Sequence, residues 1–274
     1  MLSEDLKEIL ESNGLDFNRL IIDAQIKIGD YNLTFYQTDG IDAQQVWMRF
    51  RELKNQTGLQ PFIVMDEYYY QTKINPEEIE KVIESSQKID GKVWLQNKLA
   101  KEGTIKEINN KQDIEFQELL EEIGEQEKEV LTEQSQPLET FRIPLSDDRL
   151  GFKETVTIFL FPVKKPWQVL AYLNIGALQD IYKFANEEEH LAVMKYWYEK
   201  YGAEPSGLYS GELEFYVSKP PTEYEKAFNL AFEQYAYCHD CLKLNGFGSF
   251  DLFSKVLVNS TVWYFGWLKL INQM

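Results

Sequence analysis

Residues 186–241 decide the fold, and they read NEEEHLAVMKYWYEKYGAEPSGLYSGELEFYVSKPPTEYEKAFNLAFEQYAYCHDC. The stretch predicts a helix, a tight loop, a two-strand hairpin, a second helix and then a short run that holds both cysteines. These elements indicate a packed unit of helices and strands. They do not indicate a reaction, so the residues are interpreted first for structure.

The first predicted helix begins at Asn186, because its side chain can accept a backbone N–H that the first turn leaves unpaired. Glu189 stands three residues later, close to the capping-box pattern, and Gly202 is a typical helix end. His190 and Trp197 are seven residues apart and therefore share one face of this helix.

The hairpin and the second helix follow from alternation and capping. Residues 212–217 alternate polar and apolar side chains after a turn at residues 210–211, which predicts a half-buried strand. Pro220 and Pro221 end that strand, since proline cannot donate to a β-ladder. Residues 222–225, Thr-Glu-Tyr-Glu, form a capping box and predict the start of the second helix.

The order of elements predicts an α+β fold. From residue 155 onward the order is strand, helix, strand, strand, helix and strand, which is the order of a split βαβ or ferredoxin-like unit. The N-terminal part predicts a β-β-α-β-α lobe. We therefore predict three parts: an N-terminal α+β lobe at 1–100, an acidic and partly helical linker at 101–139, and a C-terminal α+β domain at 140–274.

The linker is defined by its charge. Between Lys101 and Pro137 there are 11 acidic and 4 basic residues, which is typical of a mobile segment. Apolar residues at helical spacing favour instead a surface helix from about Asp113 to Leu131. An acidic arm that docks onto a partner is the functional alternative.

Two short patterns resemble each other across the chain. Gly58-x-x-Pro61 and Gly202-x-x-Pro205 each follow a predicted helix and precede a predicted strand. An internal duplication explains the echo, and so does the ordinary use of glycine and proline between elements.

The composition limits the classes of partner. The formal net charge is −17, which argues against nucleic acids and against anionic membranes, and slightly favours a basic protein. Solubility alone also explains it. The N-terminus lacks the features of a signal peptide and no apolar run approaches the ~20 residues of a membrane span, so we expect a cytoplasmic protein.

The cysteines form a C-x-x-C motif at Cys238 and Cys241. In thioredoxin-like proteins this motif opens a helix directly after a strand, whereas here it follows a helix. A zinc site with His190 is the second interpretation, but no second C-x-x-C completes four ligands. The third is that Cys238 is a small buried side chain. We therefore predict no metal and no cofactor.

The predicted ligand- or partner-binding pocket combines five residues: His190, Trp197, Tyr237, Cys238 and Asp240. A polar imidazole in a ring-lined pocket can bind a ligand or move a proton. The alternative is a histidine whose hydrogen bonds are satisfied inside the core. Nucleotide-binding, serine-hydrolase and zinc-protease motifs are not present in the sequence, so no catalytic residues are predicted.

Much of the chain resembles a bacterial family of uncharacterised proteins, domain of unknown function 4253. The similarity is carried by these residues and short runs: Pro166-Trp167, Gly176, Glu189-His190, Tyr196-Trp197, 201–204, Pro220-Pro221, 234–238, Asp240 and 263–265, with a weaker echo at 58–61. His239 stands where proline is expected, and Gly266 and Leu268 interrupt a tail that is usually rich in tryptophan. The family implies no established activity.

These observations favour a non-catalytic cytoplasmic binding or regulatory protein, with an immunity-type protein that neutralises its partner as one concrete form. A protein partner is expected rather than a small molecule, and the oligomeric state stays open. The alternative is an enzyme or small-ligand binder with its pocket near His190, Cys238 and Asp240. The packing around Cys238 distinguishes the two, because an open polar cavity favours the alternative and a filled one favours a binding protein.

Overall fold

The computed structural model describes residues 4–28, 31–64, 75–122, 136–145, 151–173, 185–209, 212–244 and 248–267. The strands in these ranges are β1 Leu20–Ile28, β2 Tyr31–Thr38, β3 Gln60–Val64, β4 Val156–Phe161, β5 Ala203–Tyr209, β6 Glu212–Val217 and β7 Val262–Gly266. The α-helices are α1 Glu4–Ser12, α2 Ala43–Thr57, α3 Pro76–Ser86, α4 Gly91–Glu102, α5 Ile105–Glu122, α6 Glu187–Tyr201, α7 Tyr224–Tyr237, α8 Cys241–Leu244 and α9 Phe250–Leu257. Short 3-10 helices span Phe17–Arg19, Gly40–Asp42 and Pro166–Tyr172.

The strands form one mixed sheet in the order β1-β2-β4-β3-β5-β6-β7. Neighbouring strands are antiparallel, except that β3 and β5 run parallel. The predicted α+β class is confirmed. The ferredoxin-like detail is not, because β3 lies between β4 and β5 and β4 pairs antiparallel with both β2 and β3. The three-part division stays a prediction, and strands from both sides of residues 101–139 share the sheet.

The sheet carries a hydrophobic core on each face. Alternate residues of one strand belong to different clusters, as Phe62 and Ile63 of β3 show. Helices α1 and α2 and residues Phe141 and Ile143 cover one face. Helices α3, α4, α6, α7 and α9 contribute to the core on the other face. In the described residues, no helix combines the length and the apolar character that crossing a membrane requires.

The predicted ends of α6 are confirmed. The Asn186 side chain accepts the Glu189 N–H at 2.8 Å, and the Glu189 carboxylate accepts the Asn186 N–H at 2.8 Å, so two donors of the first turn are satisfied. The helix ends at Gly202, whose φ of 60° is left-handed. A Cβ at this position would lie 2.1 Å from the Ser218 Oγ, which would have to rotate away, so the left-handed backbone is the main reason for glycine here.

Three details of the sequence prediction are wrong. Strand β6 is buried on both sides rather than half-buried, since Glu214 is fully buried and Glu212 is 8% exposed. The second helix begins at Tyr224 with Glu223 as its N-cap and no side-chain capping bond, so the capping box predicted at Thr222 does not form. Helix α5 begins at Ile105 rather than near residue 113. The predicted turn at residues 210–211 and residues 123–131 of the predicted linker helix lie outside the described residues.

Candidate functional site

The structure brings three of the five predicted site residues into direct contact. His190 lies in the first turn of α6 and Trp197 two turns later, while Tyr237 is the last residue of α7. The His190 Nδ1 is 2.9 Å from the Tyr237 hydroxyl oxygen. The Trp197 and Tyr237 rings meet edge-on, with their centroids 5.1 Å apart. The contact between α6 and α7 is therefore built from these side chains.

The interior around Cys238 is filled by side chains. Cys238 is the C-cap of α7 and is 1% exposed, and its thiol donates to the Gly266 carbonyl oxygen of β7 at 3.1 Å. Phe265 of the same strand stacks on Trp197 with a centroid separation of 5.5 Å, and it meets Tyr237 edge-on at 5.2 Å. Such ring pairs stabilise a core beyond the burial of their area. Among the described residues, the polar groups here are held in a ring-lined core rather than around an open cavity.

Burial keeps the groups of this cluster neutral near pH 7. It lowers the pKa of His190 to about 4, because the charged imidazolium loses its hydration. It raises the pKa of the Tyr237 hydroxyl and of the Cys238 and Cys241 thiols well above their ordinary values. Since the thiolate is the reactive form of cysteine, neither buried thiol is activated as a nucleophile.

The C-x-x-C motif does not assemble a metal centre in the part of the chain that the structure describes. Both cysteines are free and buried, and the described residues contain no group of three or more histidine, cysteine or acidic side chains able to hold an ion. Cys241 begins the four-residue helix α8. The motif therefore marks the point where the chain leaves α7 and turns toward β7.

The remaining residues of the motif lie at the rim of this cluster. Asp240 is partly exposed, and its backbone N–H donates to the Cys238 sulfur. His239 stacks edge-on against Tyr235 at 4.7 Å, and its Nε2 is 3.6 Å from a carboxylate oxygen of Glu102 in α4. Burial lowers the pKa of His239. The His239 side chain therefore lies between the end of α7 and α4.

The structure also contains two groups of hydrogen-bonded polar residues that the sequence did not indicate. Both lie on the face of the sheet opposite to the one that packs against His190 and Trp197. The first joins α2 to β5, where Arg51 donates two hydrogen bonds to one Glu204 carboxylate oxygen at 2.8 and 3.0 Å. Gln60 of β3 donates to the other oxygen at 3.3 Å. Nearby, burial lowers the pKa of Lys54 to about 8. In the sequence, Glu204 is an acidic residue next to Pro205, and that pattern does not predict its pairing with Arg51.

The second grouping surrounds Glu214 in the middle of β6. One of its oxygens accepts the backbone N–H groups of Arg142 and Ile143, and the other accepts the Ser206 hydroxyl at 3.4 Å. Burial raises the pKa of Glu214 to about 7, although the hydrogen bonds from Arg142 and Ile143 lower it. This carboxyl group holds residues 142–143 against the sheet. Its alternating position had predicted exposure to solvent.

A third carboxylate, Glu233, joins α7 to α6. One of its oxygens accepts the Tyr196 hydroxyl at 2.8 Å and the Lys200 ammonium at 2.9 Å. The other accepts the Trp197 indole N–H at 3.3 Å. The i, i+4 spacing of Tyr196 and Lys200 was visible in the sequence, but their common partner was not. All these bonds are internal, so the grouping stabilises the helix pair.

Two cavities of useful size meet at one end of the sheet. The first has a volume of about 470 Å³ and lies between α3 and the 3-10 helix at 166–172. The second has a volume of about 610 Å³ and lies between α1, the start of β2 and the end of α2. Tyr31, the first residue of β2, and Pro162, directly after β4, line both cavities. We name this continuous surface the Tyr31 groove.

The comparisons with known proteins give one match. Residues 157–267 match the model of a family described as "Domain of unknown function (DUF4253)", which confirms the resemblance seen in the sequence. The matched range contains β4, α6, β5, β6, α7 and β7, together with all five predicted site residues. Curated proteins gave no match, and solved structures gave none.

Proposed function

We propose that this chain is a non-catalytic binding protein of the bacterial cytoplasm whose partner is a basic protein. The observation that carries the proposal is the filled interior around Cys238. Trp197, Tyr237 and Cys238 are at most 2% exposed, so these three side chains of the predicted pocket pack in the core. A small ligand needs a cavity of several hundred Å³ with polar groups that converge on it, and the described residues that surround Cys238 are packed against one another instead.

Charge supports the choice of partner. The chain carries a formal net charge of −17, and complementary charge accelerates association and discriminates against wrong partners. An immunity-type role, in which the chain covers a functional surface of a basic toxin, is the concrete form that we propose. Neutralisation of this kind requires a surface that is complementary to the toxin in shape and charge, and it requires no catalytic group.

The test is capture followed by reconstitution. The tagged chain is exposed to native lysate at low salt, and the proposal expects one basic protein in stoichiometric amount that elutes as salt is raised. The purified pair must then re-form in calorimetry with an affinity that falls with ionic strength. Recovery of no stoichiometric protein, or a complex that salt does not weaken, would count decisively against the proposal.

The alternative, an enzyme or small-ligand binder near His190, Cys238 and Asp240, is tested in parallel. A thermal-shift panel of metabolites and metal ions is applied to the wild type, His190→Ala and Asp240→Ala. A shift that disappears in both variants would establish the alternative. Shifts that survive in both variants place any binding elsewhere.

A further inference from the structure

The Tyr31 groove has an apolar floor on both sides of the sheet end. In the first cavity, Ile79 is 4% exposed and Tyr172 packs its ring against Phe161 at 5.6 Å while its hydroxyl donates to the Pro162 carbonyl oxygen at 3.2 Å. In the second, Leu6, Leu59 and Leu160 are 5%, 8% and 2% exposed. These side chains are held in place by the core. The floor is therefore formed before anything binds.

The rim of the groove is acidic on the α3 side. Glu80 and Glu84 are exposed, lie one helical turn apart and line the first cavity. The opposite rim contributes Tyr31, which is 53% exposed, and the ammonium group of Lys164. Lys164 is the one cation among the described residues that line these cavities. Two carboxylates beside an exposed aromatic face favour a cationic side chain that stacks on the ring.

The second cavity also favours positive charge, for a different reason. Its wall contains residues 55–57, the last turn of α2, and Gly58 beyond it. The last carbonyl groups of a helix lack intrahelical partners and form the negative end of the helix dipole. A ligand that crosses Tyr31 therefore passes from the carboxylates of Glu80 and Glu84 to the carbonyl end of α2, where Lys54 is the one basic residue of the last turn.

We propose that the Tyr31 groove is the docking surface for an extended, basic segment of a partner protein, in which arginine or lysine side chains alternate with apolar ones. The apolar side chains fill the floor and the basic ones face Glu80, Glu84 and the end of α2. The two cavities share Tyr31 and Pro162 in their walls, so a segment that fills both must be elongated and pass over these two residues. This inference rests on the proposed function and adds the location and chemistry of its binding surface.

The experiment compares two variants of equal charge. Glu80→Lys with Glu84→Lys reverses the rim, and Glu118→Lys with Glu199→Lys reverses two exposed carboxylates that line neither cavity. Each pair changes the net charge from −17 to −13, since each substitution adds two charges. The probe is a short fluorescent peptide in which arginine alternates with leucine, and its control carries glutamate in place of arginine. Binding is followed by anisotropy, and circular dichroism verifies that each variant folds.

The wild type and the Glu118/Glu199 pair are expected to bind the arginine peptide and not the glutamate peptide. The Glu80/Glu84 pair is expected to lose affinity by on the order of tenfold or more, about the effect of two rim charges. Tyr31→Ala is expected to weaken binding as well. Equal losses in the two charge pairs, equal binding of the two peptides, or no binding by the wild type would each overturn the inference.

The same variants separate this inference from the proposed function. If the wild type captures a stoichiometric partner and the Glu80/Glu84 pair retains it with unchanged affinity, the partner docks elsewhere and only the groove inference fails. If no partner is captured, the proposed function fails whatever the peptides do. Loss of the partner by the Glu80/Glu84 pair, with retention by the Glu118/Glu199 pair, supports both.

Discussion

Replacement of Glu214 by glutamine is expected to stabilise the protein, and to do so more strongly as the pH rises. Burial raises the pKa of this carboxyl group from 4.5 to about 7 in the folded chain. Between these values the unfolded chain has already lost the proton while the folded chain retains it. The contribution of Glu214 to the free energy of unfolding is therefore fully present below pH 4.5 and decreases as the pH rises toward 7.

The magnitude follows from the shift. A difference of about 2.5 pKa units corresponds to about 3.4 kcal/mol at 1.36 kcal/mol per unit. Glutamine resembles the protonated carboxyl in size, still accepts the N–H groups of Arg142 and Ile143, and does not titrate. The variant and the wild type should have equal free energies of unfolding at low pH. The free energy of unfolding of Glu214→Gln should then exceed that of the wild type by about 1.4 kcal/mol at pH 5.5 and about 3.4 kcal/mol at pH 8.

The assay is urea unfolding of both proteins at pH 5.5 and pH 8. The lower value stays clear of the isoelectric point of about 4.6, where low net charge promotes precipitation. The difference between variant and wild type cancels every group that titrates alike in both proteins. Glu199→Gln, at an exposed position, is the matched control and should change stability by less than ~0.5 kcal/mol at either pH. An advantage of Glu214→Gln that does not grow between the two pH values would refute the reasoning.

The other predictions concern the core around α6. His190→Gln should show the opposite pH dependence, because the pKa of His190 is lowered to about 4 and the wild type loses stability as the pH falls below 6.5. The variant should gain about 1.4 kcal/mol relative to the wild type between pH 8 and pH 5.5 in the same urea experiment. Trp197→Ala should lower the free energy of unfolding by about 3–5 kcal/mol in denaturant unfolding, since the ring is fully buried. Trp197→Phe should lower it by less. A loss below ~1 kcal/mol for the alanine variant would contradict the place of Trp197 in the core. The thiols of Cys238 and Cys241 should react with a disulfide reagent only after denaturation, because they are buried and their pKa values are raised; rapid labelling of the native chain would show that this part of the core opens.

The local elements were largely predictable from the sequence, because their signals are local. Asn75 caps α3 by accepting the Glu77 N–H at 3.0 Å, as the Asn-Pro pair predicts. The last strand of the predicted element order is present and spans Val262–Gly266. Glycine, proline and capping side chains act over a few residues, so their effects can be read without knowledge of the fold.

The pairing of distant strands could not be predicted in the same way. Strand β4 lies between β2 and β3 in the sheet, although more than ninety residues separate it from either strand in the chain. No local sequence pattern predicts this pairing. The burial of Glu214 depends on residues 142–143, which reach it only in the folded protein. For the site, the meeting of His190, Trp197 and Tyr237 was expected from the order of helices and strands. Whether the space between them is open or filled depends on Phe265, a side chain from another strand.

The echo between the two Gly-x-x-Pro patterns has a structural counterpart that bears on the site. Helices α2 and α6 both have fifteen residues, both end at a left-handed glycine, and both lead into strands that lie side by side. Ile63 pairs with Gly207 and Val64 with Leu208, which is the same offset of 144 residues that relates Gly58 to Gly202.

Because the two strands are parallel and the two helices pack on opposite faces of the sheet, a half-turn about an axis along the strands relates the two units. The same offset matches Trp197 to Leu53 and His190 to Val46, and both counterparts pack in the core of the other face. Two of the five positions of the predicted pocket, His190 and Trp197, thus correspond to core-forming positions of α2. His190 is the polar exception, and its 2.9 Å contact with the Tyr237 hydroxyl satisfies a ring nitrogen that the apolar counterpart does not have. A surface for a partner is therefore better sought away from these two core positions, at the end of the sheet that Tyr31 occupies.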